Sequence, residues 1–184
     1  MAKLDDKAIC NIELVEIITE ENDPKKYYFD TADEATYSPD ISNGTENILR
    51  VKNRVVATNK YDDIQYGSTL TFKDTSFLPE VLALVDGGTL LKTELVVTGY
   101  NAPITGQTVN RTRFTTNVYT AEKDVEGVVK KYAKFSFPSC LGKPTNFSFK
   151  DGEFMSPQYT ISSRPKSGTS PYTITFEDSL PTIE

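Results

Sequence analysis

The chain has 184 residues and no histidine. That absence removes the usual base that activates serine and cysteine nucleophiles, and also the commonest metal ligand. Carboxylates are what remain for proton chemistry. Two of them flanking a glycosidic bond suffice for hydrolysis, and Glu20, Asp30 and Asp62 are the candidates. Each stands in a charged or turn-forming stretch where solvated acids are expected, so the chain reads as non-enzymatic, with no cofactor and no catalytic or metal-binding residues. Gly142-Lys143 runs into Pro144 and lacks the upstream glycine of a phosphate loop. No Gly-x-Ser-x-Gly elbow or calcium loop appears. Cys10 and Cys140 lie far apart and outside any Cys-x-x-Cys spacing, and they read as buried thiols compatible with a reducing cytosol.

Residues suited to recognition are easier to find. Arg50, Lys52 and Arg54 form a short basic run in a chain of 20 basic and 26 acidic residues, net −6. Two roles stay open for this run: it meets an acidic surface on another copy of the chain, or it is a solvated edge that discourages unwanted strand pairing. Tyr27, Tyr28, Tyr61 and Tyr66 offer large area with a polar tip, which suits interface anchors and equally suits ordinary surface tyrosines. No window concentrates lysine and arginine enough to track phosphates, which disfavours sequence-specific or tight nucleic-acid binding. Nor is there a run of about 18 apolar residues, so no membrane span is expected. The opening MAKLDDKAIC has acids where a leader peptide needs an apolar run.

The elements that must position these residues are mostly strands. The exception is a helix over Pro79-Asp86: Leu78, Val81, Leu82 and Val85 recur at i, i+3, i+4 and i+7 and share the face that packs on a sheet. Pro79 suits the first helical position, Glu80 complements the helix dipole, and Gly87 and Gly88 supply the stop. Strands are predicted over Ile9 to Thr19, with a bulge at Ile17-Ile18, then Lys26 to Asp30, Ile48 to Ala57, Ile64 to Phe72, and Leu90 to Tyr100. Arg111 to Lys123 and Val128 to Phe137 form a hairpin around Asp124, Glu126 and Gly127. Asn146 to Lys150 and Glu153 to Ser162 form another about Asp151-Gly152, a dipeptide favoured in tight hairpin turns. Tyr172 to Asp178 is the last strand. Thr31 to Gly44, mostly small, acidic or turn-forming, reads as a long loop leading into an arm that ends near Lys60. Eight to ten strands and 23 threonines indicate one mainly β domain over 1-184, a β-sandwich or barrel-forming sheet with one short flanking α-helix.

The order of motifs from Leu49 to Gly88 resembles that of the major tail proteins, or tail tube proteins, of long non-contractile tailed bacteriophages. LRVKN (Leu49 to Asn53), ATN (Ala57 to Asn59), IQYGSTLTFKD (Ile64 to Asp74) and FLPEVLALVDGG (Phe77 to Gly88) carry it, joined near the end by SSRPKSG (Ser162 to Gly168) and PYTITFEDSLP (Pro171 to Pro181). The resemblance implies a virion structural protein, made in the bacterial host's cytoplasm and located in the tail. Its copies self-assemble into hexameric rings whose inner strands form a β-barrel lumen, and the stacked rings form the conduit for genome ejection. Tape-measure, tail-tip and terminator proteins would be further partners, and DNA would pass without specific binding. The arm at about 31-60, with Arg50, Lys52, Arg54 and Tyr61, is then expected at a subunit or ring interface. Two alternatives stand beside this one: the tube of a contractile tail or injection machine, and a monomeric β-sandwich module that binds carbohydrate or a receptor.

Overall fold

The computed structural model describes residues 6–183. Among them twelve strands and one helix follow one another: β1 (Ile9–Thr19), β2 (Lys26–Phe29), β3 (Ala32–Ser42), β4 (Glu46–Val51), β5 (Arg54–Lys60), β6 (Ile64–Asp74), α1 (Pro79–Asp86), β7 (Thr89–Thr93), β8 (Val96–Asn101), β9 (Phe114–Lys123), β10 (Val129–Gly142), β11 (Gln158–Ser163) and β12 (Thr173–Glu177). All pairings between these strands are antiparallel. The main sheet runs β2-β1-β9-β10-β11-β6-β3, with β12 added to β10.

β10 explains how one sheet becomes two layers. Its one edge pairs with β9 along most of its length, while its other edge pairs first with β12 (Tyr132 to Ser136) and then with β11 (Cys140 to Gly142). The register breaks between Phe137 and Cys140. Pro138 there has no N–H for the ladder, and Ser139 takes a φ of 51°. At this bend the strand leaves the layer β2-β1-β9-β10-β12 and enters the layer β10-β11-β6-β3. The opposite corner is closed by the chain itself, because only Asp30 and Thr31 separate β2, paired with β1, from β3, paired with β6. Strands that switch layers at such corners make a β-sandwich, here with β2 and β3 as its end strands.

Val15 and Ile17 of β1, Phe29 of β2, Leu70 and Phe72 of β6, Phe114 and Val118 of β9, and Tyr159 and Ile161 of β11 meet inside in one apolar cluster. Phe29 and Phe72 pack edge to face at 6.4 Å. The helix completes this core as its spacing predicts: Val81, Leu82 and Val85 are buried and Leu78 packs against them. Gly87 caps it at φ 84°, its N–H donating to the Ala83 carbonyl at 3.0 Å. Gly88 serves a different purpose. A Cβ there would lie 2.2 Å from the Tyr100 hydroxyl and 2.3 Å from the Asn101 carbonyl oxygen, so it is the close approach of β8 that requires glycine.

Several boundaries depart from the sequence reading. Thr31 to Gly44 is not a long loop: Ala32–Ser42 is an eleven-residue strand laddered to β6. Its polar residues fit an edge strand exposed to water, and Pro39 is tolerated because an edge leaves one row of N–H groups without partners. The arm predicted to end near Lys60 is a second structure, the hairpin β4–β5, rather than a continuation of a loop. Leu90 to Tyr100 is likewise two strands, turned at Glu94 with φ 56°. No register shift occurs at Ile17-Ile18; the irregularities of β1 sit on either side of Ile12, beside Asn11 at φ 57°. Around Asp151-Gly152 a turn does form, with Gly152 at φ 77° and the Glu153 N–H donating to Lys150 at 3.2 Å, but the flanking residues make only the bridge Asn146 to Gln158. The partner that residues 146–150 needed is absent because β11 begins only at Gln158 and already pairs with β6 and with the end of β10. Cys140 is buried as expected, whereas Cys10 is exposed.

Candidate assembly surface

The β4–β5 hairpin carries the basic run. Its ladder extends from Glu46 opposite Lys60 to Val51 opposite Arg54, with Lys52, at φ 53°, and Asn53 forming the turn. Arg50, Lys52 and Arg54 therefore cluster at the tip, and none of the three makes an ion pair among the described residues. Tyr61 lies at the other end. Five ladder steps separate tip from foot, about 17 Å at strand rise, so the four residues read from sequence as one interface set divide between two ends of a rod.

Every residue of β4 and β5 is exposed. The register places Leu49 opposite Ala57 on one face and Ile48 opposite Thr58 on the other, and Val51 and Val55 flank the turn. Leu49 and Val55 are 57% and 55% exposed. β-branched and aliphatic residues favour a strand through packing, yet among the described residues all of β4 and β5 stays exposed. A two-stranded hairpin with neither face covered is marginal on its own in water.

The foot is built differently. The Tyr61 N–H donates to the Thr45 carbonyl at 2.9 Å, and the Gly44 N–H donates to an Asp63 carboxylate oxygen at 2.7 Å. Together they hold the two ends of the hairpin against each other. An open cleft of roughly 260 Å³ lies there, lined by Glu46, Lys60, Tyr61, Asp62 and Asp63 with Gly44 and Thr45. Lys60 approaches Asp62 only at 3.9 Å, and both are exposed. Ile41 of β3 and Ile64 and Tyr66 of β6, at the ends of the strands that carry the hairpin, are exposed as well. Arg164 stacks 4.9 Å over the Tyr66 ring and pairs with Asp40, which ties the loop after β11 to β3.

The remaining candidates have other work. Glu20 accepts from the Ser139 N–H at 2.8 Å and the Thr115 hydroxyl at 3.1 Å, which anchors the bend of β10 to the end of β1. Asp30 lies at the β2–β3 corner and Asp62 at the hairpin foot, so the three acids occupy three separate elements. Tyr27 packs against the core cluster. Among the described residues no group of three or more potential ligands is placed to hold a metal, and no helix is long and apolar enough to cross a membrane.

Asp86 is a hub that sequence reasoning missed. It ends the helix, where a negative charge is unfavourable to the dipole. It accepts from the Tyr100 hydroxyl at 2.5 Å and the Thr145 N–H at 3.1 Å, and its own carbonyl accepts from Arg111 at 2.9 Å. Burial, helped by the bond to Asp86, pushes the Tyr100 phenol well above its usual range. The helix end thereby holds the β7–β8 hairpin and two loops. An acid at the last helical position with no basic neighbour was the available signal.

No protein-family model matches the chain, and a search of curated proteins found no match. Among solved structures, it is similar to a chain of the anti-feeding prophage (AFP) baseplate, determined by six-fold symmetrised electron cryo-microscopy. The TM-score is 0.46 with 10% identity, covering 94% of this chain and 97% of that one.

Proposed function

We propose that the chain is a non-enzymatic bacteriophage tail tube subunit whose copies associate into stacked sixfold rings around a conduit for DNA. The observation that carries this reading is the β4–β5 hairpin, a ladder with apolar residues on both faces and exposed along its whole length among the described residues. Uncovered strands of this kind invite pairing with another chain, and assemblies that close remove the exposure. Further support comes from where the resembling motifs fall. LRVKN and ATN lie in the hairpin, IQYGSTLTFKD coincides with β6, and the Gly-Gly stop follows α1. Charge agrees with a conduit too: Glu46 to Lys60 holds four basic residues and one acid, net +3, which leaves −9 for the rest of the chain. A wall of that sign repels phosphates rather than holding them.

Negative-stain electron microscopy of the purified protein, paired with its mass by light scattering, tests the reading. Hollow tubes or sixfold rings are expected. A monomer that stays monodisperse at high concentration and binds glycans would replace it with the binding-module reading.

A further inference from the structure

We infer that successive copies join tip to foot: the basic tip of one β4–β5 hairpin seats in the acidic cleft at the foot of the next copy's hairpin. This inference rests on the assembly reading above and adds to it the two surfaces that meet.

The hairpin is electrically polarised along its length. Arg50, Lys52 and Arg54 put three positive charges at the tip. Glu46, Asp62 and Asp63 against Lys60 put a net charge of −2 at the foot. The ladder holds these ends about 17 Å apart, so a tip cannot reach its own foot and its complement must come from elsewhere. Apolar character matches as well as charge. Val51 and Val55 flank the tip, while Tyr61 and Ile64, both more than 60% exposed, border the cleft. Arginine stacks on aromatic rings as well as pairing with carboxylates, so Tyr61 and the neighbouring acids form a receptor suited to Arg50 or Arg54. Arg164 over Tyr66 is an example of that stacking within this chain.

The occupant is a second copy because both halves of the complementary pair are present on one chain and each keeps a net charge there: the tip makes no ion pair among the described residues, and Lys60 offsets only one of the three foot acids. The two surfaces differ, so the contact is heterologous: each copy that docks its tip still offers a free foot, and assembly propagates until it closes. Complementary charge at a rim mainly sets approach and register, while the apolar flank supplies adhesion.

Charge reversal with complementation tests this. A tip variant, Lys52→Glu with Arg54→Glu, and a foot variant, Glu46→Lys with Asp62→Lys, leave the Asp63 bond to Gly44 untouched. Each is expected to keep the wild-type circular dichroism spectrum and yet need at least about 100-fold more protein to assemble, since like charges juxtaposed at an interface cost several kcal/mol. An equimolar mixture is expected to assemble like wild type, because reversed tips then meet reversed feet. If wild type assembles but the mixture does not, or if either variant alone assembles as wild type does, the tip-to-foot contact is wrong and the assembly reading stands. Should wild type itself never associate, both fall.

Discussion

The exposed aliphatic face of the hairpin predicts a clean separation between folding and assembly. Leu49 and Val51 are 57% and 51% exposed, and Leu49→Thr with Val51→Thr keeps strand propensity while removing most of their apolar area. In the free chain these side chains cover nothing, so unfolding stability is expected to change by no more than about 0.5 kcal/mol per site, the usual range for surface substitutions. In an assembled contact the area now open to water would be buried. Fully burying such a side chain contributes about 1.5–3 kcal/mol. Roughly half of that surface is still exposed here, so each residue contributes about 0.8–1.5 kcal/mol, or about 1.5–3 kcal/mol for the pair. The concentration at which association begins should then rise about 10- to 150-fold. Sedimentation velocity over a dilution series gives that threshold, and urea titration of the dilute chain gives stability. An unmoved threshold, or a stability loss of about 2 kcal/mol or more in the dilute chain, would refute the claim that this face is free until copies meet.

Three further predictions concern the sandwich. Leu82→Ala removes a side chain only 1% exposed at the centre of the helix stripe and is expected to cost about 2–5 kcal/mol, read as a lower urea midpoint at unchanged slope. Of the two thiols, Cys10 is exposed and Cys140 buried, its pKa pushed up to about 11 by burial. A thiol reagent at pH 8 should therefore label one cysteine in the folded chain and two in denaturant. The folded pKa of Cys140 lies above its unfolded value of 9.0, so the folded state holds that proton more tightly. The stability it contributes is complete below pH 9 and lost progressively as pH rises through about 11. Tyr159, raised by burial from 10.0 to about 12, extends the loss upward. Urea midpoints measured at pH 8, 10 and 11 should decline in that order, and the part of the decline due to Cys140 should vanish in Cys140→Ala.

What the sequence alone determined was local. The helix over Pro79 to Asp86 was legible to the residue because one periodic stripe, a proline at its first position and a glycine in the left-handed conformation act within a few residues of each other. β6 and the hairpin at Asp124 were legible for similar reasons, an alternating run in one and an acid that binds the N–H groups of Glu126 and Val128 in the other. Tertiary structure decided the rest. β3 has no apolar alternation and is extended because β6 offers it a ladder. The half of the Asp151-Gly152 hairpin before the turn keeps a single bridge, Asn146 to Gln158, although its turn chemistry was right. Arg50, Lys52 and Arg54 were recognisable as a basic run, but a two-residue turn at Lys52 and Asn53 was needed to gather them at one tip and carry Tyr61 to the other end. Sequence separation does not encode that division, since pairing across a hairpin brings Arg50 and Arg54 together while a few more residues of rigid ladder hold Tyr61 about 17 Å away.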